Sequence, residues 1–279
     1  MKKSQNLLLA LVLSIPGFTS ILFSYINKKE LENQLLTQSA DLNKENLTKI
    51  ITNYSGTQFF YDFLSGEYYS IYLVLLLLVF GFFITHRLNS DQLLGIGNYA
   101  VVRQSYQHYV KKQLKVALID GVTIVSESFI FIFLLSIIIG KGYSPLVYGD
   151  KIVSSMKMSI IFLGFYSFLM IFMLLVVCIA LLGNMWLSTI YITYLSPLIV
   201  FLFFPIIIVY LLSIFLPDNL DNTLKLFIPF NLLNNFSDYL TLNQSFLNIS
   251  LKCYPLALIA IGAFYIYKRN LHEFSETYL

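Results

Sequence analysis

Two acids interrupt the apolar run VALIDGVTIVSESFIFIFLLSIII at 116–139: Asp120 and Glu127. Seven residues apart, they fall near one face of a helix. Carboxyl groups inside a bilayer are costly, and they usually face a protein interior or a water-filled cavity. Asp120 lies close enough to the start of the run to stay wet. Glu127 falls near the middle, flanked by Ser126 and Ser128. One chemistry that fits Glu127 is a polar point on a translocation path, or a step in a proton relay. A purely structural role fits as well: a hydrogen-bonded group between helices, since no Lys, Arg or His inside a span offers itself as a partner.

Other chemistries find no residues to carry them. There is no HExxH, and no paired-Glu motif with a downstream His. His86, His108 and His272 are far apart, and Cys178 and Cys253 form no CxxC, so no metal, redox or disulfide framework is expected. A phosphate-binding loop needs G-x-x-x-x-G-K-[ST]. "GKGYS" at 140–144 has Gly-Lys, but Leu135 stands where the first Gly belongs and Gly142 follows Lys141. The scattered acids Asp62, Glu67, Asp218 and Asp238 read as solvated loop charges. The expectation is a chain that is no enzyme, with no cofactor of its own.

The elements that must position Asp120 and Glu127 are membrane spans. The chain is 57% hydrophobic and 12% charged, with mean hydropathy +0.73. A soluble domain carries about twice that charged fraction. A net charge of +3 is too small to point to nucleic acid. A spanning helix needs about 20 mostly apolar residues, and six runs qualify: 6–27, 67–85, 116–139, 156–182, 187–214 and 249–267. The first resembles a signal peptide at its start, but it lacks an A-x-A-like site and continues past Pro16 and Gly17, so it reads as a retained span. The fourth and fifth runs are nearly fused, and the chain is expected to turn back near Gly183-Asn184. Pro197 and Pro205 predict a kink in the fifth.

Lys and Arg near the span ends set the orientation. With the N-terminus inside, nine fall in the cytoplasm, among them Lys2, Arg87, Arg103, Lys112 and Arg269, and nine outside. The inner set is packed into much less chain, and most acids lie outside, which selects both ends inside. The fold class is therefore all-α: one six-span membrane domain over 1–279. Residues 28–66 form a first outer segment that begins as a polar or weakly amphipathic helix. A short one follows at 140–155. A third, at 215–248, is amphipathic and aromatic and lies at the outer interface.

The inner loop between spans two and three holds the basic, Tyr-rich stretch GIGNYAVVRQSYQHYVKKQLK, 95–115. Gly95 and Gly97 read as a turn, and Asn98 can cap a helix through its side-chain oxygen. Tyr99, Val102, Tyr106 and Tyr109 then share a face, with Arg103 close by. Lys111, Lys112 and Lys115 gather where the chain re-enters the membrane. This is either a positive-inside lipid anchor or a docking helix for a cytoplasmic partner, since Tyr and Arg dominate protein contacts.

The stretch Gly97, Asn98, Arg103, Ser105, Tyr109, Lys112, together with the six-run pattern and the amphipathic segment before the last run, resembles the membrane subunit of type 2 ATP-binding-cassette exporters, in the small form of Gram-positive bacteria. The resemblance implies a permease in the bacterial plasma membrane, paired with a second copy or a related permease. It implies a coupling helix over 95–115 that meets a separate ATPase subunit, with ATP and Mg held on that partner. The coupling residues would be Gly97, Asn98, Tyr99, Arg103, Ser105, Tyr106, Tyr109 and Lys112, with Glu127 and Asp120 on the path. The first outer segment, 28–66, is longer than in the plainest members, which leaves subfamily and substrate open. The alternative is a stand-alone membrane immunity or sensor protein that binds an extracellular peptide without transport.

Overall fold

The computed structural model describes residues 2–37, 54–93, 106–148, 151–153, 155–186 and 190–203, with Thr48, Ile51, Ile207 and Gly262 as isolated positions. Helix α1, Lys2–Thr37, is 36 residues long and continues unbroken through Pro16. Around the proline, Ser14 donates to the Ala10 carbonyl at 2.7 Å and Thr19 to the Pro16 carbonyl at 2.8 Å, so these hydroxyls are satisfied by bonding back to their own helix. At 1.5 Å per residue α1 is about 54 Å long, against a hydrocarbon core of about 30 Å. Residues 28–37, the start of the expected outer segment, are thus the overhang of the first span and not a separate element.

Helix α2, Gly56–Ser65, and α3, Glu67–Leu93, are joined at Gly66 with a bend of 64°. Helix α4 is Tyr106–Ile139 and α5 is Ser155–Trp186. Between them a small antiparallel hairpin pairs β1, Leu146–Tyr148, with β2, Lys151–Val153. Helix α6, Ile190–Leu198, passes into a π-helical turn, Ile199–Phe203. Three of these helices are long and apolar enough to cross a membrane, over Ser4–Leu35, Lys115–Ile139 and Met158–Ala180, or four if the bent α2–α3 pair is one span. They match the expected first, third, fourth and second runs. Of the expected fifth run only 190–203 and Ile207 are described, and the sixth lies outside the described residues apart from Gly262.

Contacts between the helices fix their relative directions. Asn6 meets Asp120 and Gly17 packs on Ile132, so α1 and α4 run parallel. Tyr72 meets Ser128 and Phe80 approaches Gly121, so α3 runs against α4. Tyr166 meets Ser126 and Phe162 meets Phe133, so α5 also runs against α4. Phe82 stacks on Tyr194, and Phe172 packs on Phe201, which seats α6 and its π-turn on α3 and α5.

The turn expected near Gly183-Asn184 does not begin before Trp186. Gly183 and Asn184 are helical, since α5 continues to Trp186 and the next described helix starts at Ile190. A glycine inside a helix costs only about 1 kcal/mol, which a long apolar segment can absorb. Pro197 sits in the last turn of α6, where its missing N–H is followed by the widened π-turn. Pro205 lies outside the described residues.

The core is aromatic and centres on α2. Ser55 caps this helix, its hydroxyl accepting from the Gln58 N–H, and Phe59, Phe60, Phe63 and Leu64 are buried. The Phe60 ring meets Phe162, Phe133 and Phe129 edge-on, at centroid separations of 4.7, 5.1 and 5.2 Å, the geometry that aromatic quadrupoles favour. Helix α2 is therefore part of the packed bundle, where the sequence reading placed a solvated segment.

The C-terminus of α4 holds the start of α2 in place. Gly142 donates to the Ile137 carbonyl across Lys141, which takes φ +58°. This is a Schellman ending with a lysine where glycine is usual. The Gly56 N–H in turn donates to the Gly142 carbonyl at 3.0 Å, and Ser144 N–H donates to Thr57 Oγ1 at 3.0 Å. Gly56 and Gly140 are in direct backbone contact, with no room for a Cβ on either.

Candidate functional site

Helix α4 is the element on which the candidate residues converge. Its 34 residues are unbroken from Tyr106 to Ile139, while the apolar span within it starts at Lys115. Residues 106–114 therefore form a stalk about 14 Å long, continuous with the span. Tyr106 and Tyr109 belong to its first turns, and Lys112 and Lys115 are exposed. Gly97, Asn98, Tyr99, Arg103 and Ser105 lie outside the described residues. The described part of the basic stretch is thus the start of the spanning helix itself, with no elbow between Tyr106 and the membrane. Helix α3 likewise runs past the expected end at 85 to Leu93.

Within the span, polar side chains of α4 have four different settings. Asp120 accepts from Asn6 Nδ2 of α1 at 3.3 Å. Ser126 pairs with the Tyr166 hydroxyl of α5 at 2.6 Å and also donates to the Val122 carbonyl. Ser128, fully buried, pairs with the Tyr72 hydroxyl of α3 at 2.8 Å. Glu127, between them, is exposed. Hydrogen bonds between spanning helices contribute about 0.6 kcal/mol each on average, so these pairs set register more than they add stability. Asp120 and Glu127 do not form one site: the first faces α1, the second faces away from the described bundle. Glu127 is twelve residues from either end of the Lys115–Ile139 span, where a carboxylate on an insertion scale costs about 3 kcal/mol.

A third carboxyl, Asp62 on α2, reads from sequence as a solvated loop charge, and its setting is different. It accepts from Gln58 Nε2 at 2.8 Å and from Ser24 of α1 at 3.2 Å. One turn further along α1, Lys28 Nζ donates to the Tyr54 carbonyl at 2.8 Å. Ser24 and Lys28, and Gln58 and Asp62, are each four apart, the spacing at which helical residues share a face. The run QFFYDFL also places apolar residues at 59, 60, 63 and 64 after a capping serine, the signal from which α2 and its polar edge can be found. Nearby, Tyr69 stacks on Tyr72 at 6.1 Å, with Phe63 and Phe165 edge-on to it. The buried Tyr69 hydroxyl has no hydrogen-bond partner among the described residues.

Among the described residues, no three His, Cys, Asp or Glu side chains come together as a metal-binding group. Comparison with protein families, with curated proteins and with solved structures finds no match. The long apolar helices point to a membrane protein. What it does there rests on the chemistry of its own residues.

Proposed function

We propose that this chain is the permease subunit of an ATP-driven exporter in the bacterial plasma membrane. In this reading it has six spans with both ends inside, and it moves an amphipathic or hydrophobic substrate outward: a peptide, a lipid-like compound or a drug. It binds no nucleotide. A separate ATPase subunit holds ATP and Mg and docks on the inner segment 95–115, and two permease subunits, identical or related, pair above it.

The observation that carries the reading is the continuity of α4. The described part of that docking surface, from Tyr106 on, shares one helix with Asp120 and Glu127. Closure of the ATPase pair pushes on Tyr99, Arg103, Tyr106 and Tyr109, and from Tyr106 onward one unbroken helix carries that displacement to mid-membrane. The polar pairs to Asn6, Tyr166 and Tyr72 pass the motion to three neighbouring helices. This is a two-state coupling between distant sites, of the kind that lids and domain closures provide.

The test is affinity purification of the tagged chain from gently solubilised membranes. A stoichiometric ATPase should accompany it, and Arg103→Glu should remove both that partner and ATP-dependent transport while leaving expression intact. A well-expressed Arg103→Glu variant with normal transport overturns the docking role. A clean preparation without ATPase favours the other reading, a stand-alone immunity or sensor protein. In that reading the close contact of Gly56 and Gly140, with Ser144 bonded to Thr57, lies on the outer side and gives peptide binding a fixed base.

A further inference from the structure

Two exposed apolar stripes of this chain end on lysines at the same rim. On α1, Leu11, Ile15, Phe18, Leu22 and Ile26 are each more than two-fifths exposed. Their spacing of four, three, four and four puts them on one face, opposite the face that meets α4 through Asn6 and Gly17. Three residues further along that exposed face stands Lys29, itself exposed. On α4, Leu134 and Ile138 are more than half exposed, and they lead to Lys141, exposed just past the helix end. The contacts Asn6–Asp120 and Gly17–Ile132 put Lys29 and Lys141 within about one turn of each other in height. Lys28 joins them: its ammonium group donates to the Tyr54 carbonyl, beside the Gly56–Gly142 bond that flanks Lys141. All three lysines act on the Glu32 carboxylate. Three ammonium groups around one carboxylate leave the rim positive.

We infer that Lys29 and Lys141 hold the headgroup phosphate of an anionic phospholipid whose acyl chains lie along the exposed stripe of α1. Depth supports this occupant. The exposed apolar residues of α1 run from Leu7 to Ile26, about 29 Å, which matches a hydrocarbon core of about 30 Å. Lys29 then stands about 4 to 5 Å beyond the core, among the headgroups. Tyr25 and Tyr143, each more than a third exposed, lie at the same edge, where tyrosine rings are enriched. Charge supports it as well, because lysines just outside the core attract anionic lipid. Lys141 takes φ +58° at a helix end where glycine is usual, so the turn carries an ammonium group at a cost in backbone energy. The existing partners leave room for a phosphate. The Lys29–Glu32 pair at 2.8 Å is largely exposed, and such pairs contribute little. Each ammonium group has three donors. Of the other acids nearby, Glu30 falls on a different face of α1, and Asp62 is held by Gln58 and Ser24. The site requires only that α1 crosses the membrane, whether or not an ATPase binds.

The experiment places the full chain in phosphatidylcholine nanodiscs that contain a phosphatidylglycerol analogue with a photocrosslinker on its headgroup. Adducts are mapped by peptide mass spectrometry, and they should fall on the segments around Lys29 and Lys141. Lys141→Gly removes the charge but suits the backbone of this turn. The unfolding midpoint should therefore hold or rise, while adducts at the rim fall about fivefold. Lys29→Gln should lower them by a similar factor, and Lys29→Arg should retain them. Adducts around Lys112 and Lys115, at the other end of α4, should not change in any of these variants. Four results overturn the site. One is the absence of adducts at the rim. Another is an unchanged adduct yield in Lys141→Gly and Lys29→Gln. The third is equal labelling by a phosphatidylcholine analogue, which would mean apolar contact alone. The fourth is displacement of the analogue by glycerol phosphate in solution, which would mean a site for soluble phosphate.

Discussion

Asp62 and Glu127 are two carboxyls in apolar helices, and the fold treats them in opposite ways. Asp62 stands at the edge of the short helix α2 and is held by donors from two helices, Gln58 and Ser24. Glu127 stands at the centre of the long helix α4, between two serines that bond to neighbouring helices, and it faces outward. The contrast separates two uses of a polar group in an apolar setting. Near the end of a bundle, a carboxyl with internal donors fixes how elements of one chain pack. At mid-depth, a carboxyl without them is suited to something beyond the chain.

The widest test of this contrast is Phe60→Ala. Phe60 fills the junction between α2, α4 and α5, and truncating a buried Phe costs about 3–5 kcal/mol. Thermal unfolding in detergent should show a large drop in midpoint, with α2 becoming sensitive to protease. An unchanged midpoint would mean that α2 is not seated in the core, and Asp62 would lose its special standing. Asp62→Ala is the next largest. It leaves the Gln58 amide and the Ser24 hydroxyl without their acceptor, a loss of about 1–3 kcal/mol if they stay buried. A double-mutant cycle with Ser24→Ala should show coupling, and simple additivity would reduce the 3.2 Å contact to coincidence.

Much of this arrangement is legible in the residues, and the parts that are not share a cause. Helices α1, α4 and α5 follow from apolar runs too long for anything but a span. Helix α2 is harder, because ten residues containing Gln58 and Asp62 cannot cross a membrane and merge by composition with the polar residues before them. Its signature is the capping Ser55 and the spacing of Phe59, Phe60, Phe63 and Leu64. The hairpin is similar: LVY and KIV flank Gly149-Asp150, a two-residue linker of a type that joins paired strands. The direction of Glu127 is a different matter. The spacing of seven correctly relates it to Asp120 on the helix, but only the placement of α1 against α4 decides that Asp120 finds Asn6 while Glu127 is exposed. Periodicity fixes a face of a helix, and packing decides what that face meets.

The smallest expected effect is also the sharpest. If Glu127 faces away from its own bundle, Glu127→Gln should barely change the unfolding midpoint of the monomer, since exposed substitutions fall within about half a kcal/mol. The same variant tests the alternative in which Glu127 belongs to an interior path, because an interior carboxyl replaced by an amide would disturb partners that depend on it. The measurement is unfolding in detergent dilute enough to keep single chains, run beside Asp62→Asn. The two substitutions are the same chemical change at two sites. A shift at Asp62 with none at Glu127 is the outcome the geometry requires. Equal shifts would mean that Glu127 is buried within its own chain.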